Sequence, residues 1–282
     1  MHKRVVDQLV TQYSEQEAIA LTRWLWEDVL GISAHSHFVN QEEKIDSVAE
    51  EKLDNAVERL LLGEPIQHIV GYGYFYGRKF LVSPNVLIPR QETEELLVWI
   101  RDSHRSGEAL SVVDLGTGTG CIPISLGLEW KLLNQTARCV GVDISEKVIH
   151  IASQNAEILN FHPEWITLDI FSATNLQFRD VDILISNPPY IPQQEKSGLF
   201  FNVRDRDPDL ALFVPDDDPL IFYRHIAELG QYWLKTGGFL YFEVHSDFGE
   251  AVVESLRSMG YKNIELRKDL NKRDRMVRGQ KN

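Results

Sequence analysis

Apolar residues recur at intervals of three and four through the first part of the chain, residues 1–62. The first set is Val6, Leu9, Val10 and Tyr13, the second Ile19, Leu21, Leu25 and Val29, and the third Val48, Leu53, Val57, Leu60 and Leu61. This spacing places apolar side chains on one face of an α-helix. Gly31 and the Gly63-Glu64-Pro65 run supply helix-stop signals. The pattern predicts a small N-terminal domain of three or more helices.

From about residue 91 the pattern changes to helices that alternate with short apolar runs. The runs that predict strands lie at 110–115, 138–143, 165–170, 181–186 and 239–244, with two short ones near 262–267 and 274–278. Helices are predicted at 91–104, after the glycines near 120, and at 145–159, 218–234 and 247–259. The alternation predicts an α/β fold with a mainly parallel sheet covered on both faces. Ligands of such sheets bind beyond the carboxyl ends of the strands.

A stretch rich in glycine and aromatic residues separates these two regions. Gly71, Gly73 and Gly77 alternate there with tyrosine and phenylalanine, which predicts a twisted β-hairpin joining the two domains. The predicted organisation is a helical domain at 1–66, a hairpin linker at 67–90 and an α/β domain at 91–282.

A glycine turn follows the first strand of the α/β domain. The run is Gly116-Thr117-Gly118-Thr119-Gly120, and Cys121 stands where a dinucleotide fingerprint needs its third glycine. Asp143 ends the next strand, where its carboxylate could accept both hydroxyls of a ribose. A tight turn with Asp143 or Ser145 capping the following helix is the alternative. Either feature alone leaves the two interpretations nearly even, but together they favour a ligand that carries a nucleoside.

An adenine ring needs an apolar slot near the end of the third strand. Ile170 and Phe171 offer one, with Asp169 placed to accept from the exocyclic amine. Ordinary core residues are the alternative interpretation of Ile170 and Phe171.

The fourth strand stops at Asn187-Pro188-Pro189-Tyr190, because two adjacent prolines donate no backbone hydrogen bonds. Together with the glycine turn and Asp143, this tetrad resembles the class I methyltransferases that use S-adenosylmethionine, in the branch that methylates amino and amide nitrogens. The resemblance implies a Rossmann-like sheet. It also implies that Gly116, Thr117, Gly118, Thr119, Gly120, Asp143, Ile170 and Asn187 bind the cofactor.

The nucleophile of that branch is a planar, barely basic NH₂ group. The side-chain oxygen of Asn187 and the carbonyl of Pro188 can accept its two N–H bonds and aim its lone pair, while Tyr190 lies against the flat group. Positioning of this kind supplies several kcal/mol of a barrier, and the acceptors stabilise positive charge that develops on nitrogen. Asn187, Pro188 and Tyr190 are therefore the predicted catalytic residues, and with Pro189 they form the predicted substrate site.

Charge and composition narrow the class of substrate. The 282 residues carry a net charge of −13, which disfavours unaided binding to nucleic acid. Two cysteines without metal-ligand spacing predict no metal site and fit a reducing cytoplasm. No run is long enough to predict a membrane span.

Residues 63–94, "FEVH" at 242–245 and "DLNKRDRMVRG" at 269–279 resemble the bacterial release-factor glutamine methyltransferases. The resemblance implies methylation of the glutamine side-chain amide in the Gly-Gly-Gln loop of class 1 peptide-chain release factors, by a protein expected to be monomeric. It also implies an N-terminal helical bundle joined by a β-hairpin to the catalytic domain. Gln91 and Asp207 depart from the family pattern. A nucleic-acid amino-methyltransferase, a non-catalytic S-adenosylmethionine-binding module and a protein methyltransferase of wider range remain the alternatives.

Overall fold

The computed structural model describes residues 2–31, 46–105, 107–175, 177–198 and 208–282. The chain divides into two compact units, with the boundary between Tyr72 and Gly73. The domain limits at residues 66 and 90 stay predictions.

The N-terminal unit is helical in its described part. Its helices are α1 (His2–Leu9), α2 (Glu15–Asp28), α3 (Ser47–Leu61) and the short α4 (Ile66–Val70). Their apolar faces bury Leu9, Leu25 and Leu53 completely, as the spacing of three and four predicts. Val48 is 59% exposed, because it lies in the first turn of α3, away from this core.

The second unit begins with a hairpin and continues as alternating strands and helices. Its strands are β1 (Tyr72–Phe75), β2 (Arg78–Leu81), β3 (Leu110–Leu115), β4 (Ala137–Asp143), β5 (Glu164–Thr167), β6 (Val181–Ser186), β7 (Ile191–Pro192), β8 (Phe213–Val214), β9 (Leu234–Glu243), β10 (Lys262–Lys268) and β11 (Asp274–Gln280). Its helices are α5 (Gln91–Ser103), α6 (Cys121–Leu132), α7 (Glu146–Leu159), α8 (Asp209–Leu212), α9 (Ile221–Trp233) and α10 (Gly249–Ser258).

The described strands build a seven-stranded sheet in the order β10-β11-β9-β6-β3-β4-β5. Strands β9, β6, β3, β4 and β5 run parallel. Strand β11 pairs antiparallel with both of its neighbours, β9 and β10. Two apolar clusters within this unit contain most of the buried side chains of its strands and helices. The predicted α/β fold class is confirmed, and the parallel strands end at one edge of the sheet.

Two strand limits differ from the prediction by three residues or more. β5 ends at Thr167 rather than residue 170, because the side chain of Asp169 accepts from the N–H of Phe171 at 3.0 Å and begins a 3-10 turn. β9 begins at Leu234 rather than residue 239. Its early residues include two glycines, which weaken a strand signal read from sequence.

The buried side chain of Asn155 on α7 connects the hairpin to the glycine turn. Its Oδ1 accepts from the N–H of Leu81 at 2.6 Å, and its Nδ2 donates to the carbonyl of Leu81 at 3.2 Å. The same nitrogen donates to the carbonyl of Thr119 at 2.9 Å. One amide therefore satisfies three backbone groups and fixes the end of the turn against β2.

Asp114, at the end of β3, is fully buried beneath the same turn. Its Oδ2 accepts from the Thr117 hydroxyl at 2.7 Å, while its Oδ1 has no hydrogen-bond partner. Burial disfavours the charged form and raises the pKa of this carboxyl to about 7, and the Thr117 hydroxyl opposes the shift.

Asn155→Ala should lower the free energy of unfolding by about 2–4 kcal/mol, because each buried polar group left unpaired costs about 1–3 kcal/mol. Urea unfolding monitored by circular dichroism measures the change. Gln154→Ala, at the exposed neighbouring position, is the matched control and should change the free energy of unfolding by less than about 0.5 kcal/mol. Equal losses in the two variants would contradict the structural role of Asn155.

Asp114→Asn should flatten the pH dependence of stability. Between pH 4 and 7 the folded protein keeps a proton that the unfolded chain has lost, so the wild-type free energy of unfolding falls as pH rises. The variant should lack this fall and exceed the wild type above pH 7 by a few kcal/mol at most, since one pKa unit is about 1.4 kcal/mol. Urea unfolding from pH 4 to 9 tests this, with exposed Asp217→Asn as control. Parallel wild-type and Asp114→Asn curves would refute it.

Candidate active site

A cavity of about 330 Å³ lies at the carboxyl edge of the parallel strands. Its size is that of a small-molecule site. Strand β3 contributes Leu115 and the turn that follows it, β4 contributes Asp143, and β6 contributes Ser186 together with the following Asn187. The cavity therefore lies where parallel α/β sheets bind their ligands.

Two residues of the glycine turn line the cavity and three support it from behind. Gly116 and Gly118 are lining residues with φ of +72° and +55°, a region that glycine adopts without strain. Thr117 and Thr119 are buried. A Cβ on Gly120 would lie 2.7 Å from the Trp165 ring, so this glycine permits close packing of α6 against β5.

Asp143 lines the cavity and also holds the turn. Its Oδ2 accepts from the N–H of Gly118 and its Oδ1 from the N–H of Ser145, both at 3.2 Å. Burial raises the pKa of Asp143, and these N–H donors oppose the shift. A carboxylate oxygen accepts about two hydrogen bonds, so both oxygens can still accept a ligand hydroxyl. Ser145 is the N-cap residue of α7 but its side chain makes no capping bond.

The predicted apolar slot borders the same cavity. Ile170 and Phe171 line it, and Phe171 stacks on His225 at 4.7 Å between ring centroids. Phe171 is 44% exposed, so ordinary core does not describe its position. Asp169 also lines the cavity, with one carboxylate oxygen already bonded to the backbone of Phe171.

The tetrad after β6 lies between the cavity and a buried polar cluster. Asn187, Pro188 and Pro189 line the cavity. The Nδ2 of Asn187 donates to the Thr93 hydroxyl at 3.4 Å. Tyr190 does not line the cavity. Its hydroxyl donates to Oε1 of Glu243 at 3.3 Å, and its backbone N–H donates to the carbonyl of Leu212 at 3.2 Å.

Glu243, the last residue of β9, is the centre of the polar cluster. It is buried, and its Oε2 accepts from the Thr93 hydroxyl at 2.6 Å. Burial raises the pKa of Glu243, while the Thr93 hydroxyl and nearby Arg275 favour the charged form. The pKa of Tyr190 is raised by burial and then by Glu243.

Sequence reasoning did not assign several residues of this site. The cavity walls include 84–87, Pro208, Leu210, Ala211, Phe222 and Ile226, which come from distant parts of the chain and are apolar except for Asn85. Glu243 and Thr93 lie in segments that the family resemblance marks, but nothing local indicates that their side chains meet.

Gln91 and Asp207 are the two positions at which the chain departs from the family pattern. Gln91 is the first residue of α5. Asp207 lies outside the described residues.

Two kinds of feature are absent from the described ranges. No helix in them is both long and apolar enough to cross a membrane. No group of three or more His, Cys, Asp or Glu side chains in them is arranged to hold a metal ion.

Comparison with known proteins connects both parts of the chain to one family. Residues 2–71 match the PrmC N-terminal domain and residues 106–268 match a methyltransferase domain. The chain is 40% identical over 265 residues to the release factor glutamine methyltransferase of Bacteroides thetaiotaomicron, an alignment that covers 94% of this chain and 93% of that protein. It is 38% identical to that of Flavobacterium psychrophilum, over 83% of this chain and 82% of that protein.

A solved methyltransferase from Pyrococcus furiosus has the same fold, with a TM-score of 0.52 at 15% identity, over 81% of this chain and 98% of that one. This likeness concerns the fold alone. The glycine turn, Asp143 and the first three residues of the tetrad lie around one cavity. The extent of the sequence matches shows that the chain belongs to the release factor glutamine methyltransferase family.

Proposed function

We propose that this protein transfers a methyl group from S-adenosylmethionine to the side-chain amide nitrogen, N5, of the glutamine in the Gly-Gly-Gln motif of class 1 peptide-chain release factors. The observation that carries the proposal is the 40% identity, over 94% of the chain, to a protein named release factor glutamine methyltransferase. The cavity and the tetrad beside it supply the chemistry that such a reaction needs.

The residues present fit S-adenosylmethionine. Gly116 lines the cavity at a φ of +72°, so the turn brings backbone without a side chain to the place where the cofactor would lie. Asp143 offers two carboxylate oxygens for the ribose hydroxyls, and Ile170 with Phe171 offers an apolar surface for adenine. Thr117, Thr119 and Gly120 would act by shaping the turn. When bound, the cofactor supplies an electrophilic methyl group on a sulfonium.

The tetrad would orient the nucleophile. A glutamine amide is flat and its NH₂ has two N–H bonds, which the Asn187 side-chain oxygen and the Pro188 carbonyl can accept. The rigid Pro188-Pro189 pair brings no competing N–H into this place. Pro189 would form part of the wall, and Tyr190, bonded to Glu243, would support the substrate amide from the side. Acceptors fixed before the reaction stabilise positive charge as it develops on nitrogen.

The substrate is thus proposed to be a folded protein rather than nucleic acid, and the net charge of −13 supports this choice. We further propose that the protein works as a monomer in the cytoplasm, where release factors act. The helical N-terminal domain, residues 1–66, is proposed to recognise the release factor, and the segment 67–90 to link it to the catalytic domain, 91–282.

Transfer of label from tritiated S-adenosylmethionine tests the substrate directly. The purified protein is incubated with a class 1 release factor, with its Gly-Gly-Gln→Gly-Gly-Ala variant, and with bulk tRNA, rRNA and DNA. Label should enter only the wild-type factor. Label in nucleic acid would move the protein to the nucleic-acid enzymes, and no label in any substrate would favour a binding module.

Two substitutions should separate binding from turnover. Asn187→Ala should lower kcat about 100-fold, because a pre-positioned acceptor at the reacting nitrogen is lost, while the cofactor Kd stays within about twofold.

Asp143→Ala should raise the cofactor Kd at least about tenfold, because charged hydrogen bonds contribute about 1.5–3 kcal/mol. Calorimetry measures Kd and label transfer measures kcat, with exposed Glu146→Ala as the control for Asp143. Wild-type turnover in Asn187→Ala, or an unchanged Kd in Asp143→Ala, would remove that residue from its role.

A further inference from the structure

The Asn187 amide can face the cavity in two ways, and only one of them suits an NH₂ substrate. With Oδ1 toward the cavity, the Asn187 amide accepts an N–H of the substrate. With Nδ2 toward the cavity, it would present an N–H donor to a substrate group that is itself a donor. The amide group has nearly the same shape in both orientations. Shape alone therefore does not select the orientation, and the hydrogen bonds behind the amide must do so.

The chain of hydrogen bonds behind Asn187 has a defined direction. Thr93 has one hydroxyl proton, and an ionised carboxylate has none. The hydroxyl oxygen lies 2.6 Å from Oε2 of Glu243, so its proton must point at Glu243. Its oxygen can then only accept on the side of Asn187, where Nδ2 lies at 3.4 Å. Nδ2 is held toward Thr93, and Oδ1 is left for a donor in the cavity.

We propose that Glu243 is a positioning residue whose negative charge, relayed through the Thr93 hydroxyl, sets the hydrogen-bond polarity of Asn187 for an N–H substrate. The inference rests on the proposed function and extends it by assigning selection between donor and acceptor substrates to a residue outside the tetrad. Glu243 touches neither reacting atom. It acts through Thr93 on Asn187 and directly on Tyr190, whose hydroxyl donates to its other oxygen at 3.3 Å.

Protonation of Glu243 would relax the polarity, since a carboxylic acid can donate to Thr93 and free the Thr93 proton for Asn187. Several groups face Glu243 from the elements around it. Arg275 on β11 favours its ionised form, and Glu92 on α5 opposes it. The Tyr190 hydroxyl donates to its carboxylate, and the Tyr223 hydroxyl on α9 donates to its backbone carbonyl at 3.3 Å.

Three substitutions isolate this relay. Glu243→Gln keeps the shape but lets an NH₂ donate to Thr93, which frees the Thr93 proton to point at Asn187. Thr93→Val removes the hydroxyl, and Thr93→Ser restores it. Tyr223→Phe is the matched control. It removes a buried hydroxyl that donates to the backbone carbonyl of Glu243 at 3.3 Å and not to its carboxylate.

We expect Glu243→Gln and Thr93→Val to lower kcat about 100-fold, with the cofactor Kd by calorimetry and the thermal unfolding midpoint close to wild type. Thr93→Ser should recover kcat to within about threefold, and Tyr223→Phe should keep it. The wild-type kcat should fall as pH falls through the pKa of Glu243, which burial places above that of an ordinary glutamate. This fall of kcat at low pH, the acid limb of the profile, should be absent in Glu243→Gln and present in Tyr223→Phe.

One measurement does not depend on turnover. The ¹⁵N side-chain signal of Asn187, assigned by its loss in Asn187→Ala, should move with pH along the same limb in the wild type and stay constant in Glu243→Gln. A kcat within about twofold of wild type in Glu243→Gln, or an equal pH response of that signal in both proteins, would overturn the proposal. If Glu243→Gln does not fold, wild-type kcat in Thr93→Val would overturn it. Failure of the wild type to label a release factor would instead reject the proposed function, and the NMR titration would still decide this inference.

Discussion

The site depends on one buried hydrogen bond between two neighbouring strand ends. The hydroxyl of Ser186, the last residue of β6, donates to the carbonyl of Leu115, the last residue of β3, at 2.8 Å. Both residues are almost completely buried, so water does not compete for this bond. It joins the two strands at the last pair of their ladder, Leu115 with Ser186. The glycine turn and Asn187 begin one residue later on each strand, and for that reason they meet at the same cavity.

Two carboxyl groups are buried at this edge of the sheet, and they serve different purposes. Asp114 holds the glycine turn through Thr117 and has an oxygen without a partner, so its burial costs stability when it is charged. Glu243 has a partner on each oxygen and a nearby guanidinium. A buried charge that is this well satisfied is weak as a source of stability, but it imposes a direction on the hydrogen bonds around it. The direction that Glu243 gives to these hydrogen bonds, rather than any gain in stability, explains its presence behind Asn187.

Much of the fold and part of the site could be predicted from sequence because their signals are local. The strand–glycine–helix run around Gly118, the position of Asp143 after the next strand and the proline stop at Pro188 each lie in a few consecutive residues. The limit of β5 was wrong because a side chain, Asp169, captures the backbone after Thr167. The contact of Thr93 with Glu243 joins residues 150 positions apart. No spacing rule anticipates such a contact, since it arises only when α5 packs beside the end of β9.

The tetrad by itself selects a chemical group, not a molecule. Two acceptors with a fixed polarity suit any planar NH₂, whether on a glutamine or on a nucleobase. Discrimination between these substrates must therefore come from surfaces that the tetrad does not contain. Inside the catalytic unit the available surfaces are the walls at residues 84–87 and at Leu210 and Ala211, where the side chains are apolar except for that of Asn85. A side chain on a flexible loop needs only a narrow apolar passage to reach the acceptors, whereas a base needs its ring edges satisfied. The largely apolar walls therefore suit an extended amide side chain better than a flipped base.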